Sequence, residues 1–131
     1  MNTVRDQKPK VLLIDDEKML LELYSIRFGK SGFDVVTASS AEKALALLSQ
    51  GYEPDIILFD ISMPEMSGYE FVETLNTRHL GKRALKYALT NESQDGEKAR
   101  VMQLGAGHIT KAEYTPAELV EKIAPLLKER A

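Results

Sequence analysis

Two short, unbroken apolar runs, each ended abruptly by acids, organise the pattern of this chain. Residues 56–59 (Ile-Ile-Leu-Phe) follow Pro54 and stop at Asp60, ahead of a loop rich in Pro and Gly. The run is too short for a helix and reads as a strand buried on both faces, as in the middle of a parallel sheet. Residues 10–14 (Lys-Val-Leu-Leu-Ile) repeat the form and end in Asp15, Asp16 and Glu17. A helix is expected to start at those acids, favoured by capping and the macrodipole, with Leu20, Leu23, Tyr24 and Arg27/Phe28 along its apolar face and Gly29 to Gly32 as its stop.

The same alternation runs to the end of the chain. Residues 33–37 read as a strand. Ser40 caps a helix with Ala41, Ala44, Leu45, Leu47 and Leu48 inward, closed by Gly51. After the central strand, Ser67 caps a helix carrying Phe71, Val72 and Leu75, and residues 76–83 read as a solvated loop. Residues 84–89 form a fourth strand ending at Thr90. Residues 94–104 give a weaker helix with Ala99, Val101, Met102 and Leu104 as inward candidates. Residues 108–110 form a fifth strand ending at Lys111. Thr115 then caps a last helix with Pro116 in its first turn. Leu119, Ile123, Leu126 and Leu127 face the core, and Pro125 is expected to kink the last turn. Five βα units with short connections imply a parallel sheet covered on both faces. A loose tail over 1–9 and one domain over 10–131 follow.

Composition narrows the classes of function. With 131 residues, 44% hydrophobic and 28% charged, the chain can bury one sizeable core. A net charge of −3 without a basic cluster argues against nucleic-acid binding. The absence of cysteine excludes disulfides, thiolate metal sites and Cys nucleophiles. No apolar run approaches the roughly 18 residues that span a bilayer, and the N-terminus lacks a signal-peptide core, so no membrane contact and a cytoplasmic location are expected.

An Asp behind a strand is most often a cap or turn residue, so the meaning of Asp60 depends on its company. The C-terminal ends of four strands carry Asp15/Asp16, Asp60, Thr90 and Lys111, and in open α/β sheets the functional crevice lies outside those ends. Clustered carboxylates repel unless a cation joins them. Oxygen ligands without His or Cys point to a hard metal, Mg2+ first among them, which leaves positions for phosphate oxygens. Lys111 and the Thr90 hydroxyl suit the remaining oxygens of a phosphoryl group, and Asp60 suits a nucleophile that becomes an aspartyl phosphate.

These residues carry a resemblance. The acid pair Asp15-Asp16, the segment Asp60-x-x-Met63-Pro64-x-Met66-x-Gly68, Leu89-Thr90, and Gly105-Ala-Gly107 followed by Lys111 resemble a response-regulator receiver domain of two-component signalling, over about residues 10–128. The resemblance implies a flavodoxin-like, doubly wound five-stranded sheet of order 2-1-3-4-5 with helices on both faces. It also implies a switch rather than an enzyme: Asp60 accepts a phosphoryl group from a histidine kinase or phosphotransfer protein, and Asp15 and Asp16 place Mg2+ with it. Thr90 and Lys111 bind the phosphoryl group, and water later removes it. Downstream proteins would read the change through the fourth helix, fifth strand and fifth helix.

Several positions depart from the family's pattern or tune it. Asn91 stands where a small Ala or Gly is usual; either its amide obstructs the route to Asp60, slowing small phosphodonors and hydrolysis, or it points away as a helix cap. His108 replaces the usual Tyr or Phe; the preferred reading is a partly exposed His without a signalling role, the alternative a pH-sensitive coupling to partners. Ala112 replaces a Pro that is typically cis, so a trans bond and a somewhat different aim of Lys111 are expected. Ser62 and Glu92 occupy positions that flank the attacking water and tune the lifetime of the phosphorylated state.

Rival readings are weaker. An Asp-nucleophile phosphatase of the haloacid-dehalogenase type needs a second Asp two residues on, where this chain has Ser62, and a nucleotide binder lacks its Gly-rich loop. The alternative kept open is a receiver-like binding or dimerisation module with little or no switching. The close of the chain just after the last helix fits either a protein acting alone or a receiver excised from a longer regulator.

Overall fold

A computed structural model describes residues 8–90 and 95–130. The strands are β1 (Lys10–Ile14), β2 (Asp34–Ala38), β3 (Ile56–Asp60), β4 (Leu85–Thr90) and β5 (Gly107–Thr110). They alternate with α1 (Lys18–Lys30), α2 (Ala41–Ser49), α3 (Gly68–Arg78), α4 (Asp95–Gln103) and α5 (Pro116–Arg130). The sheet is parallel throughout, in the order β2-β1-β3-β4-β5. This is the doubly wound arrangement expected from the alternation of strands and helices.

The two apolar runs are central because both faces of them are covered. Every residue of β3 is buried. Successive side chains point to opposite faces, and two cores result. Leu12, Ile14, Ile57 and Phe59 pack with Ala44, Leu48, Phe71 and Leu75 of α2 and α3. Val11, Leu13, Ile56 and Leu58 pack with Tyr24 and Phe28 of α1 and Leu119 and Ile123 of α5. Each fully buried Leu, Ile or Phe contributes roughly 1.5–3 kcal/mol, so the sheet centre is the most strongly held part of the fold. Phe59 and Phe71 meet with ring centroids 5.6 Å apart.

Capping follows the sequence closely. Ser40 accepts from the Lys43 N–H. Ser67 and Glu70 form a reciprocal capping box, as do Thr115 and Glu118. The helix α5 continues through Pro125 to Arg130.

Other details differ from expectation. α1 starts at Lys18 rather than at the acids, because the Asp15 carboxylate accepts the Glu17 N–H and forms a turn before the helix. Its inward residues are Leu21, Tyr24 and Phe28, while Leu23 is 53% exposed. α3 extends to Arg78, into the segment expected to be loop, and ends on His79 in the left-handed conformation. In α4, Val101 is buried, but Ala99 is exposed and Met102 is 59% exposed. The expected start of this helix at residue 94 lies outside the described residues. The strands β2 and β4 each begin one residue later than their apolar runs.

Candidate functional site at the C-terminal edge of the sheet

In parallel strands all C-terminal ends share one edge, so the topology delivers Asp15, Asp60, Thr90 and Lys111 to the same side of the molecule. Asp15, Asp60 and Thr90 are buried, at 3%, 5% and 3% exposure, where polar side chains need partners. Asp16, by contrast, is exposed. Carboxylate oxygens of Asp15, Asp16 and Asp60 lie within 4.8 Å of one another.

Lys111 supplies positive charge to this group. Its ammonium donates to Asp15 Oδ2 at 2.7 Å and stands 3.7 Å from Asp60 Oδ2. The described residues contain no cis peptide bond, so Lys111-Ala112 is trans as expected, and a 3-10 turn over Lys111–Glu113 follows β5 directly. The Lys111 side chain reaches both acids.

The electrostatics follow from burial and from this pairing. Desolvation pushes the Asp60 carboxyl up to about 6, against an ordinary value near 3.8. Lys111 opposes that rise, Asp15 adds to it, and the Ile61 and Ser62 backbone N–H groups oppose it. The Ile61 N–H donates to Asp60 Oδ1 at 2.8 Å. For Lys111, burial alone would lower the pKa. The hydrogen bond to Asp15 and the charges of Asp60 and Asp15 outweigh it, so the net direction is upward and the ammonium form is favoured. Tyr24, expected only as an apolar residue of α1, also senses the site. Burial raises its hydroxyl pKa first, Lys111 lowers it, and Asp15 and Asp60 raise it further.

The loop after Asp60 is fixed by a close backbone approach. The Gly68 N–H donates to the Ile61 carbonyl at 2.8 Å. A Cβ on Gly68 would lie 2.5 Å from the Asp60 carbonyl oxygen and 2.8 Å from Ile61 Cα. Both are backbone atoms with no freedom to yield, so the glycine is needed for contact rather than for its φ. Within this loop the side chain of Ser62 is exposed and Met63 is buried.

Thr90, at the end of β4, pairs with His108 inside β5. His108 Nε2 lies 2.9 Å from Thr90 Oγ1. This hydrogen bond was not foreseen from the sequence; His108 is half-buried, in keeping with the expected partial exposure. Asn91 and Glu92, expected to tune the site, lie outside the described residues.

With this geometry in place, comparison with known proteins defines the class. The response regulator receiver domain family matches residues 11–124, and the chain belongs to it. Receiver domains are signalling switches rather than enzymes that turn over a separate substrate. Among curated relatives, the response regulator SaeR of Staphylococcus aureus is 32% identical over 117 residues, covering 89% of this chain and 50% of that protein. The chain thus spans about half the length of the curated relatives it matches. Among solved structures, the chemotaxis protein CheY4 of Vibrio cholerae is 29% identical with a TM-score of 0.82, over 91% of this chain and 98% of that one. A CheY-like receiver domain protein from Methanospirillum hungatei is 26% identical with a TM-score of 0.84, over 95% and 97%. No helix among the described residues is long and apolar enough to cross a membrane.

Proposed function

We propose that this receiver is an active phosphorylation switch, with Asp60 accepting a phosphoryl group from the phosphohistidine of a histidine kinase or phosphotransfer protein. The observation that carries the reading is the buried Asp60 carboxylate, flanked by two further carboxylates and reached by one ammonium. In the transfer, an Asp60 oxygen attacks phosphorus and the P–N bond breaks. Its electron pair returns to the donor imidazole, and an acyl phosphate results. Water later attacks phosphorus, releasing phosphate and restoring the carboxylate.

The donor set fits Mg2+. Two oxygens on one Mg2+ ion are at most about 4.2 Å apart, given ligand distances near 2.1 Å. Oxygens of Asp15, Asp16 and Asp60 within 4.8 Å need close only by a few tenths of an ångström. Bound there, Mg2+ would neutralise charge on the phosphoryl oxygens. Lys111 is placed to pair with one of those oxygens, exchanging part of its bond to Asp15 for it, and Thr90 is assigned to another. Ser62, Asn91 and Glu92 are assigned to control of water at the site. The added charge then biases the segments around β4, α4 and β5, and a downstream protein reads α4, β5 and α5.

The test is intact-mass analysis after incubation with a small phosphodonor and Mg2+, followed by a promiscuous histidine kinase, with Asp60→Asn as control. A single phosphoryl adduct on the wild type and none on the variant is expected. Absence of an adduct with both donors would overturn the reading and favour a receiver-like binding module.

A further inference from the structure

β2 is an edge of the sheet, and its outer side is open. The Asp34 N–H donates to the Pro9 carbonyl, and the Ala38 carbonyl accepts from the Asp15 N–H, both towards β1. By alternation Val36 also faces β1, so the N–H and C=O groups of Val35 and Thr37 point away from the sheet. None of these four groups has a partner among the described residues. Sheet edges are commonly blunted by Lys, Pro or a bulge. Residues 35–38 (Val-Val-Thr-Ala) carry neither residue, and their register with β1 is unbroken.

This open side lies in a trough of about 680 Å³ floored by Thr37, Ala38 and Ser39. α1 forms one wall and α2 the other, from opposite faces of the sheet. A second copy of the chain has its own β2 sunk between the same two helices, so helix would meet helix before strand reached strand. A single extended segment meets no such obstacle. The walls are apolar where its side chains would lie, with Leu21 and Ile26 from α1 and Ala46 and Leu47 from α2. Charge marks one end. Lys18 opens α1 and Lys43 stands in the first turn of α2, at the end of the trough where Lys43 Nζ donates to the Ser39 hydroxyl at 2.9 Å. Glu22, one turn along α1 from Lys18, is the only carboxylate among the described lining residues. We propose that this trough takes an extended segment of a partner protein, added to β2 as a sixth strand, apolar along its length and with a carboxylate at the end beside Ser39. Val35 and Thr37 supply backbone hydrogen bonds, the walls select apolar side chains, and the two lysines select the acidic end. The site uses none of the residues assigned to the phosphoryl group, so binding is independent of Asp60.

The experiment selects short random peptides, displayed on phage, for binding to the full chain. The enriched peptide is then synthesised and studied by calorimetric titration and amide NMR. Enriched sequences are expected to join an apolar stretch to an acid at one end, and to bind Asp60→Asn as tightly as wild type. In the complex, the Val35 and Thr37 amides are expected to shift and to exchange more slowly with solvent. Thr37→Pro removes one outward N–H at a position where an edge strand accepts proline. It is expected to weaken binding about tenfold, through the lost bond and the bulk of its ring. Lys18→Glu combined with Lys43→Glu is expected to weaken binding by about tenfold at low salt and by less at high salt.

Failure to enrich any peptide would overturn the proposal, as would enriched peptides whose amide shifts lie away from β2. Binding that a folded Thr37→Pro leaves unchanged would overturn strand addition. If that variant fails to fold, the Val35 and Thr37 amides of the wild type still decide the matter. Protection of the Thr37 amide that grows with the concentration of the chain alone would overturn the peptide as occupant and assign the edge to a second copy.

Discussion

Asp60→Asn should stabilise the protein near neutral pH, although it removes the proposed phosphoacceptor. The carboxyl stands at about 6 in the fold against about 3.8 ordinarily, a shift of about two pH units caused mainly by burial. The folded state therefore holds the Asp60 proton more tightly than the unfolded chain. Stability from this residue is fully present below about pH 3.8 and is lost as pH rises through about 6. At about 1.4 kcal/mol per unit, ionised Asp60 costs the fold up to about 3 kcal/mol at pH 7. The amide keeps the shape without the charge, and Lys111 retains its 2.7 Å bond to Asp15. A gain of about 1–3 kcal/mol for the variant at pH 7.5, shrinking to little below pH 4, is the expected result. Urea denaturation from pH 3 to 8 in the absence of divalent cations measures it, with the contributions of groups remote from Asp60 cancelling between the two proteins. Adding Mg2+ should then stabilise the wild type more than the variant. A variant no more stable than wild type at pH 7.5, or a difference that does not change with pH, would refute the reasoning.

Three further outcomes follow from particular contacts. Gly68→Ala should cost about 3 kcal/mol in chemical denaturation, because its Cβ would meet the backbone of Asp60 and Ile61 and neither can withdraw. His79→Gly should raise stability by about 1 kcal/mol, since His79 closes α3 at φ 57, where a side chain is strained and glycine is not; thermal melting measures it. Lys111→Met should destabilise by about 3 kcal/mol at neutral pH by leaving Asp15 and Asp60 without their ammonium, with much of the loss restored by Mg2+ in the same melting assay.

The sheet and the strand-end acids were legible because full burial writes itself as unbroken apolar runs, and because parallel strands carry their ends to one edge. Residues 11–14 and 56–59 needed no tertiary information. The first helix did, since Leu20, Leu21, Leu23 and Tyr24 offer two overlapping apolar stripes, and packing against Phe33 and α5 selects Leu21, Tyr24 and Phe28. The last turn of α3, residues 76–78, is exposed and so carries no periodicity to read. Strand limits moved by one residue where hydrogen bonding rather than hydrophobicity decides them, as at Asp34, whose N–H donates to the Pro9 carbonyl. Lys111 could be placed at the edge from sequence, but its preference for Asp15 over Asp60 could not. The bond between Thr90 and His108 left no mark in the pattern, because it depends on the register of two strands that are 18 residues apart at that contact.

The sheet also has a gradient of stiffness. β3 is clamped by a strand on each side and a helical layer above and below, whereas β5 borders β4 alone. Asp60 thus terminates the most rigid beam of the molecule, and His108 sits on its outermost plank. The sheet has a second edge at β2, but Thr90 and Lys111 stand on the β4–β5 side. Under the proposed switch the strain of a phosphoryl group on Asp60 is therefore expected to be relieved at the β4–β5 rim. Under that proposal the point of chemistry stays fixed while displacement collects at the rim, where the proposed downstream partner would meet it.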